Sequence, residues 1–331
     1  MPKYSFIIPV YNRPDEVDEL LQSLLGQKFT DFDITIVEDG STNTCQTVVE
    51  KYSDRLPLHY IAQPNAGPSI ARNNGAAHSE GDYLIFLDSD VIVPDGYLPA
   101  VDKAVTERGL QCFGGPDASH PSFTPIQKAI SHSMTSVLTT GGIRGKKENM
   151  DKFYPRSFNM GISREAFQKV GGFSDMRFGE DVDFSMRLIE NGFKAGLIKD
   201  AFVYHKRRTT FKAFFKQVYN SGIARINLSK RHPCTLKIVH LLPAAFFLGN
   251  IGIIAISFFW LPMLALLAVP IAAFFIDALI ATRSLRVAML AVVASYVQLG
   301  GYGCGFCECF VRRVIFRQGE FTRFVKNFYK K

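Results

Sequence analysis

Two observations predict an α/β domain with a mostly parallel sheet and helices on both faces, followed by a helical membrane region. In the first two thirds of the chain, short apolar runs typical of strands alternate with amphipathic runs typical of helices, which favours βαβ units. After about residue 205 the composition becomes strongly apolar, and the stretch 241–281 contains one ionisable residue, Asp277. The 331-residue length allows about two domains, in agreement with this division.

The elements of the first part follow one another in a regular order. Strands are predicted at 5–10, 33–37, 58–61 and 83–87, with helices at 15–25, 43–52 and 69–77 between them. A further helix is predicted at 181–190 and a late strand at 201–204. Because ligands of such sheets lie beyond the carboxyl ends of the strands, the residues that follow each strand are the candidate site.

The segment Ile-Phe-Leu-Asp-Ser-Asp at 85–90 joins an apolar strand to two carboxylates. Residues two apart in a strand point to the same side, so Asp88 and Asp90 are expected to converge where the strand ends. Such oxygen ligands suit Mg²⁺ or Mn²⁺ that also binds phosphate oxygens, and they imply a nucleotide pyrophosphate. A polar turn leaving the strand is the alternative interpretation.

Three other residues have side chains that suit nucleotide binding. Tyr11 could stack on a base and Asp39 could accept hydrogen bonds from a base or ribose, although both also fit ordinary turns. Arg72, on the helix predicted at 69–77, could bind a carboxylate or the nucleotide; an arginine that faces solvent is the alternative.

Five motifs together resemble those of family 2 glycosyltransferases. They are Phe-Ile-Ile-Pro-Val-Tyr-Asn at 6–12, Val-Glu-Asp-Gly-Ser at 37–41, Asn-Ala-Gly at 65–67 with Ala-Arg-Asn-Asn-Gly at 71–75, Leu-Asp-Ser-Asp at 87–90, and Gly-Gly-Phe at 171–173 with Gly-Glu-Asp-Val-Asp-Phe at 179–184. Their order and spacing match over about residues 4–210. The resemblance implies the Rossmann-like A-type glycosyltransferase fold and inverting transfer of a sugar from a nucleotide-diphosphate sugar.

The resemblance also implies roles for individual residues. It implies a metal at Asp88 and Asp90, with His205 able to approach the metal or the diphosphate; a histidine that merely leaves the sheet is the alternative. Asn159 and Gly161 would form the wall between donor sugar and acceptor. Donor binding would involve Pro9, Tyr11, Asp39, Arg72 and Asp88. Residues 114–152 are the part least like the family, and they are predicted to form a mobile lid or acceptor loop.

Inverting transfer needs a carboxylate that removes the proton of the acceptor. Asp181 matches the base of the family, and Glu180 is the second candidate; both lie at the N-terminus of the helix predicted at 181–190, where the helix dipole favours ionised carboxylates. The alternative is that they only stabilise the first turn of this helix. Asp183 and Arg187, four residues apart, are predicted to form a structural ion pair.

The remaining chain predicts a membrane attachment. We expect a catalytic domain at 1–208, an interfacial amphipathic helix and linker at 209–235, two to three transmembrane helices at 236–311 and a basic tail at 312–331. A core-facing helix is the alternative for the amphipathic segment. The net charge of +8 is concentrated around these segments, which favours an anionic membrane leaflet over nucleic acid.

No secretory leader is recognisable before the first strand, so the catalytic domain is expected in the cytoplasm of a multi-pass protein of the cell membrane. Two spans are expected to turn at Trp260-Leu261-Pro262. A third full span would export the basic tail, against the positive-inside rule. Residues 287–310, which contain Gly300, Gly301, Gly303 and Gly305, are therefore predicted to re-enter or to tilt.

These observations predict a glycosyltransferase whose acceptor is a lipid-linked sugar or a growing glycan. A polyprenyl-phosphate sugar synthase is one alternative, although its ionised acceptor would need no base. A non-catalytic regulator that binds a nucleotide sugar is another, which the complete acidic set disfavours. A nucleotidyltransferase would require a Gly-rich basic loop after the first strand, where residues 11–14 read Tyr-Asn-Arg-Pro.

Overall fold

The computed structural model describes residues 3–140 and 153–324, which form two compact units. The first unit contains residues 3–120 and 153–206, and the second contains residues 121–140 and 207–324. The predicted catalytic domain, 1–208, differs from the first unit by its last two residues, which belong to the second unit, and by one internal segment. Residues 121–140, predicted as part of a lid or acceptor loop, belong to the second unit.

Ten strands occur in the described residues, all in the first unit. They are β1 (Tyr4–Val10), β2 (Phe32–Asp39), β3 (Leu58–Gln63), β4 (Tyr83–Leu87), β5 (Val91–Ile92), β6 (Cys112–Gly114), β7 (Asp117–Ala118), β8 (Asn159–Ser163), β9 (Ala195–Leu197) and β10 (Val203–His205). Seven of them form one sheet in the order β3-β2-β1-β4-β8-β6-β9, and the others form a short sheet in the order β5-β10-β7. In the larger sheet β8 alone runs antiparallel to its neighbours, so the prediction of a mostly parallel sheet is confirmed.

Twelve α-helices occur in the described chain. They are α1 (Pro14–Leu24), α2 (Gln46–Tyr52), α3 (Pro68–Ala77), α4 (Tyr97–Arg108), α5 (Pro125–Thr135), α6 (Val137–Thr140), α7 (Arg164–Val170), α8 (Glu180–Glu190), α9 (Phe211–Arg231), α10 (Leu242–Ser257), α11 (Ala268–Thr282) and α12 (Leu285–Phe310). A 3₁₀ segment, Leu261–Leu267, leads into α11, and a π-helical turn, Val311–Ile315, follows α12. Helices α5, α6 and α9–α12 belong to the second unit.

Alternate residues of the central strands enter two different hydrophobic cores, as the two-residue period of a strand requires. Phe6 and Ile8 pack with Leu21 of α1 on one face of the sheet. Ile7 packs with Phe184 of α8 on the other face. Each fully buried side chain of this size contributes roughly 1.5–3 kcal/mol, so both layers of helices are held to the sheet.

The predicted elements of this unit are present with shifted ends. The largest shift is at α2, which begins at Gln46 rather than at residue 43. Asn12 explains the difference, because its Oδ1 accepts hydrogen bonds from the backbone N–H groups of Thr42 (2.9 Å) and Asn43 (2.8 Å). The segment after β2 is thereby fixed to the loop after β1, and the helix starts only beyond it.

The second unit is organised around α12. Phe214 and Val218 of α9 share a hydrophobic cluster with Ala288 and Ala291 of α12, and α5 contributes Ile130 to the same cluster. The apolar side of α9 is therefore covered by protein, which favours the core-facing alternative for this helix. Residues 125–140 of the predicted lid are helical, and the glycine-rich remainder at 141–152 lies outside the described residues.

Two helical segments of the described chain are long and apolar enough to cross a membrane, Leu261–Thr282 and Leu285–Ile315. The apolar helix Leu242–Ser257 is shorter, with 16 residues. Helix α12 is continuous through its glycine-rich part, so the predicted re-entry of residues 287–310 is wrong; their tilt stays a prediction.

Candidate active site

Three potential metal ligands meet beyond the carboxyl end of β4. Asp88 and Asp90 follow this strand, and His205 ends β10, which pairs with β5 directly after the two aspartates. One ligand atom from each of the three side chains lies within 4.8 Å of the others. The structure thus brings together the pair predicted from the strand period and the histidine predicted only from the resemblance.

Asp90 is buried between two basic side chains. Arg13 Nη1 donates a hydrogen bond to its Oδ2 (2.6 Å), and His205 Nε2 lies 3.2 Å from its Oδ1. Burial alone would raise the pKa of Asp90, but His205 and Arg13 outweigh it and hold the pKa well below its ordinary value. Asp90 is therefore kept as a carboxylate, the form that binds a cation.

The donor set fits a divalent cation. Asp90 Oδ1 is buried and faces His205 Nε2 at 3.2 Å, so these two ligand atoms could bind the same cation. Two carboxylates and an imidazole suit Mn²⁺ well, whereas Mg²⁺ is bound mainly by oxygen and retains water. These three residues could hold either ion while leaving positions open for phosphate oxygens.

Arg72 connects this cluster with the second acidic segment. It lies on α3, and its two terminal nitrogens reach Asp88 Oδ1 (2.7 Å) and Glu180 Oε1 (3.1 Å). The guanidinium is also stacked over the Phe173 ring at 5.4 Å and is almost completely buried. Of the possibilities that the sequence left open, the structure supports binding of carboxylates.

Glu180 and Asp181 occupy the first turn of α8, after Gly179 with a φ of 82°. Burial raises the pKa of Glu180 to about 7, Asp181 adds to this effect, and Arg72 opposes it. The Asp181 side chain is exposed to a similar extent, 13% compared with 11% for Glu180, and its Oδ2 lies 3.0 Å from Arg156 Nε. The two neighbouring carboxylates therefore occupy different electrostatic environments.

The predicted structural pair in the same helix is present. Arg187 Nε donates to Asp183 Oδ2 (3.0 Å), and its terminal nitrogens donate to the carbonyl oxygens of Val170 (2.9 Å) and Gly172 (2.7 Å). Asp183 is thus part of the packing of α8 against the preceding turn, in contrast to Asp181.

Asp39 fixes a loop rather than presenting a free carboxylate. Its two oxygens accept hydrogen bonds from Gln63 Nε2 (2.8 Å) and from the N–H groups of Ala66 (2.8 Å) and Gly67 (2.8 Å). Asn65 Nδ2 lies 3.3 Å from Oδ2 as a fourth donor. A carboxylate can accept about four hydrogen bonds, so protein groups already occupy the acceptor positions of Asp39 that were predicted to bind a base or ribose.

The loop after β1 offers an exposed aromatic ring. Tyr11 is 52% exposed, and a planar ligand could stack on it. Pro9 is half-buried in β1 and is aligned with Val37 of β2. It lies beyond Ile7, the last residue of β1 that pairs with β4. Asn12 adopts a φ of 55°, a conformation that asparagine tolerates better than most residues.

Asn159 and Gly161 do not line an open site, which corrects the predicted wall. Both lie in β8, between β4 and β6. Asn159 is fully buried, accepts a hydrogen bond from Tyr97 OH (2.7 Å) and donates one to Ala201 O (2.8 Å). A methyl group on Gly161 would lie 1.9 Å from Phe113, so this glycine allows close packing within the sheet unit.

Two residues of the site were not predicted, Arg13 and Arg156. Arg13 directly precedes α1, and the rule that ligands lie at strand ends points to this loop in general. Its pairing with Asp90 joins residues 77 apart in the chain, which no local pattern indicates. Arg156 belongs to a segment without a periodic pattern, and no sequence signal identified it.

An acidic cluster at the carboxyl edge of a mostly parallel α/β sheet is the arrangement of an A-type glycosyltransferase fold. The sequence profile described as Glycosyl transferase family 2 matches residues 5–171, half of the chain. The chain belongs to this family.

Several relatives carry glycosyltransferase names. The poly(ribitol-phosphate) beta-N-acetylglucosaminyltransferase TarS of Staphylococcus aureus is 38% identical over 225 residues, covering 62% of this chain and 35% of TarS. An uncharacterized glycosyltransferase of Haemophilus influenzae is 31% identical over 223 residues, covering 62% of this chain and 70% of the relative. Validoxylamine A glucosyltransferase of Streptomyces hygroscopicus is 28% identical, and the match covers 58% of this chain and 52% of that protein. The chain thus spans about half the length of several of its curated relatives.

Solved structures share the fold. The mannosyltransferase PcManGT from Pyrobaculum calidifontis, in complex with GDP-Man and Mn²⁺, gives a TM-score of 0.66 at 16% identity, covering 88% of this chain and 86% of that chain. Residues 1–349 of S. aureus TarS, in complex with UDP-GlcNAc, give a TM-score of 0.51 at 19% identity, with coverage of 92% and 91%.

Proposed function

We propose that the protein transfers a sugar from a nucleotide-diphosphate sugar to a hydroxyl group of a membrane-associated acceptor, with inversion at the anomeric carbon. The observation that carries this proposal is the Arg72 bridge between Asp88, in the candidate metal cluster, and Glu180, beside the candidate base. The buried Arg72 guanidinium thereby holds the two acidic segments on either side of it. Such a pair of groups supplies what direct displacement needs, compensation of the leaving charge and acceptance of a proton.

The donor would bind at the edge formed by β1, β2 and β4. Asp88, Asp90 and His205 would hold Mn²⁺ or Mg²⁺, which supplies positive charge to the departing diphosphate. Tyr11 would stack on the base. PcManGT and TarS were solved with GDP-Man and UDP-GlcNAc, which supports a nucleotide sugar as the donor class.

Asp181 is the better candidate for the general base, with Glu180 second. A base must be ionised before it accepts a proton, and the raised pKa of Glu180 opposes this at moderately acid pH. Asp181 matches the base of the family, and its Oδ2 lies 3.0 Å from Arg156 Nε. Glu180, bound to Arg72, would instead position the start of α8.

The acceptor is proposed to be a lipid-linked sugar or a growing glycan at the cytoplasmic face of the cell membrane. The apolar helices of the second unit and the basic residues around them support this location. TarS is named for transfer to poly(ribitol-phosphate), and another relative, GgaB of Bacillus subtilis, is named as a minor teichoic acid biosynthesis protein. Both names are compatible with an acceptor of the cell envelope.

The test is a transfer assay with the full chain. Calorimetry with UDP-GlcNAc and GDP-Man, with and without Mn²⁺, identifies the donor, and extracted membrane lipids or glycans then serve as acceptors. The proposal expects metal-dependent donor binding and a product whose anomeric configuration, measured by NMR, is opposite to that of the donor. A retained configuration would overturn inversion. Donor binding without hydrolysis or transfer to any acceptor would favour the non-catalytic regulator.

A further inference from the structure

The hairpin formed by α10 and the segment Leu261–Thr282 has an apolar surface that the described protein does not cover. From residue 245 to residue 273 no side chain is charged and none is buried. The turn is the most exposed part, with Phe258 at 83%, Phe259 at 95% and Trp260 at 60%. An apolar surface of this extent indicates contact with lipid rather than with water.

Helix α12 packs closely against residues near the start and near the end of this hairpin. At its start, a methyl group on Gly303 would lie 2.7 Å from both Pro243 O and Phe247 Cβ. At its end, the Phe274 ring lies 5.8 Å from the Tyr296 ring. Both ends of the hairpin are therefore anchored on the same helix.

The first arm of the hairpin is short for a bilayer crossing, and the turn is too apolar to be expected in water on the far side. The 16 residues of α10 are about 24 Å long at 1.5 Å per residue, compared with a hydrocarbon core of about 30 Å. The turn reads Phe258-Phe259-Trp260-Leu261 and carries no charged side chain, the indole N–H of Trp260 being the polar group of these four side chains. Its residues are expected to remain within the hydrocarbon.

Helix α12 is long enough to cross a bilayer, but α9 packs against its C-terminal half. A methyl group on Gly222 of α9 would lie 2.2 Å from Tyr302 O, so the two backbones are in contact there. Helix α9 carries Lys216 and Arg225 within its length, together with the buried Asn220. Charged groups are costly in hydrocarbon, which indicates that α9, and the half of α12 beside it, lies outside the membrane core.

The N-terminal half of α12 contacts α5, which is also polar on one side. Ala288 of α12 clusters with Ile130 of α5. On α5, His132 Nε2 lies 3.0 Å from Asp277 Oδ2, and Ser136 Oγ, just after the helix, donates to the same oxygen (2.7 Å). Asp277 is the one ionisable residue of the apolar block, and it meets these polar partners at the end of the hairpin rather than near its turn.

The chain after α12 returns along α9. Arg231 of α9 forms two hydrogen bonds of 2.8 Å with the Glu320 carboxylate. Asn220 exchanges two hydrogen bonds with the backbone of Arg323, at 2.8 and 2.9 Å. The described tail therefore lies beside α9, on whichever side of the membrane α9 occupies.

We propose that the second unit is a monotopic anchor, in which the hairpin enters the bilayer from one side and returns to that side. Helices α5, α9 and α12 and the tail up to Arg323 then remain on the side of entry, and no segment of the described chain crosses. Exposed Lys237 before the hairpin and exposed Arg283 and Arg286 after it suit anionic lipid head groups at the entry surface. This inference rests on the membrane attachment proposed above and replaces the expected multi-pass arrangement.

Trp260 is the only tryptophan of the chain, so its fluorescence reports on the turn of the hairpin. We would add the full chain to preformed phosphatidylcholine–phosphatidylglycerol vesicles that carry bromine at different acyl depths. The expected result is a blue-shifted emission that deep bromines quench most strongly and that iodide does not quench from either side. Strongest quenching by shallow bromines, with quenching by enclosed iodide, would show a crossing and overturn the monotopic arrangement alone. Unchanged emission and no co-sedimentation with vesicles would overturn membrane attachment itself.

A variant with two substitutions tests on which side of the membrane the tail lies. Trp260→Phe combined with Phe316→Trp moves the reporter to an exposed position after α12. With the sheet unit outside the vesicles, external iodide should quench this reporter as fully as it does in detergent. Quenching only by enclosed iodide would mean that α12 crosses, and the proposal would fail. The melting temperature of this variant, compared with that of the unmodified chain, checks that both proteins are folded alike.

Discussion

Arg72 Nη2 lies 2.7 Å from Asp88 Oδ1, and this contact is the link between the candidate metal cluster and the start of α8. The other terminal nitrogen of Arg72 reaches Glu180, a residue 108 positions away in the chain. Its Nε is buried and has no hydrogen-bond partner among the described residues, so the two carboxylates are the main compensation for this charge. One buried guanidinium therefore fixes the spacing of two acidic segments.

Replacing this arginine should destabilise the first unit strongly. Arg72→Met leaves the carboxylates of Asp88 and Glu180 without their shared cation, and breaking a buried pair typically costs about 3–5 kcal/mol. Urea unfolding measures the change in the free energy of unfolding. Arg55→Met is the control, because Arg55 is exposed and its guanidinium lies 5.1 Å from the centre of the Tyr52 ring, a contact worth about 0.5–1 kcal/mol at an exposed site. Equal, small effects of both substitutions would contradict the role assigned to Arg72.

Metal-dependent donor binding should depend on Asp90. Asp90→Asn keeps the shape of the side chain but removes a charged ligand, so the diphosphate of the donor would lose most of the compensation that Mn²⁺ provides. Calorimetric titration with the donor, with and without Mn²⁺, should show that the metal no longer strengthens binding. Asp95→Asn alters an exposed carboxylate five residues further on and should bind as the unmodified chain does. Unaltered Mn²⁺-dependent binding by Asp90→Asn would remove the metal assignment.

The sequence predicted those features of the site that depend on local sequence. The position of Asp88 and Asp90 directly after β4 was sufficient to predict that they share one site, although Ser89 and Asp90 form a turn rather than a continued strand. The four-residue spacing of Asp183 and Arg187 was sufficient for their ion pair. Arg13 could not be predicted in this way, because its contact with Asp90 exists only after the sheet has formed.

The misplaced wall has a similar cause. The resemblance placed Asn159 and Gly161 between donor sugar and acceptor, but β8 is inserted antiparallel between β4 and β6, where both residues are buried. The apolar period of α9 likewise did not distinguish a lipid surface from the surface of α12, since both select apolar residues with the same spacing. For both β8 and α9, the environment of the side chains depends on which other element packs against them in the folded protein, and the local sequence does not contain this information.

The stability of the protein should fall as the pH rises through the range in which Glu180 ionises. Its pKa is raised to about 7 in the folded state, compared with about 4.3 for glutamate in an unfolded chain. Between these values the folded state binds more protons than the unfolded state, so the free energy of unfolding decreases with increasing pH. Glu180→Gln removes this contribution. The free energy of unfolding of this variant should therefore decline less than that of the unmodified chain between about pH 4.3 and about pH 7. Parallel pH profiles of the two proteins would show that Glu180 ionises normally.

Asp181→Asn should preserve the fold and donor binding but abolish transfer to the acceptor. The amide is nearly isosteric and, as a polar residue at a helix start, remains compatible with the first turn of α8. What it lacks is the proton acceptor, and a positioned general base typically contributes about 10²–10⁴-fold in rate. Donor affinity, melting temperature and initial rate of transfer should be measured on one preparation, at saturating acceptor.

Two neighbouring substitutions serve as controls for Asp181→Asn. Asp183→Asn weakens the pair with Arg187 at 3.0 Å and should lower the melting temperature while most of the transfer rate is retained. Glu180→Gln keeps Asp181 and should likewise transfer sugar. If Asp181→Asn were active and Glu180→Gln inactive, the base would be Glu180. If both were active, neither Asp181 nor Glu180 would be the base, and the reaction would resemble transfer to an acceptor that is already ionised, as in a polyprenyl-phosphate sugar synthase.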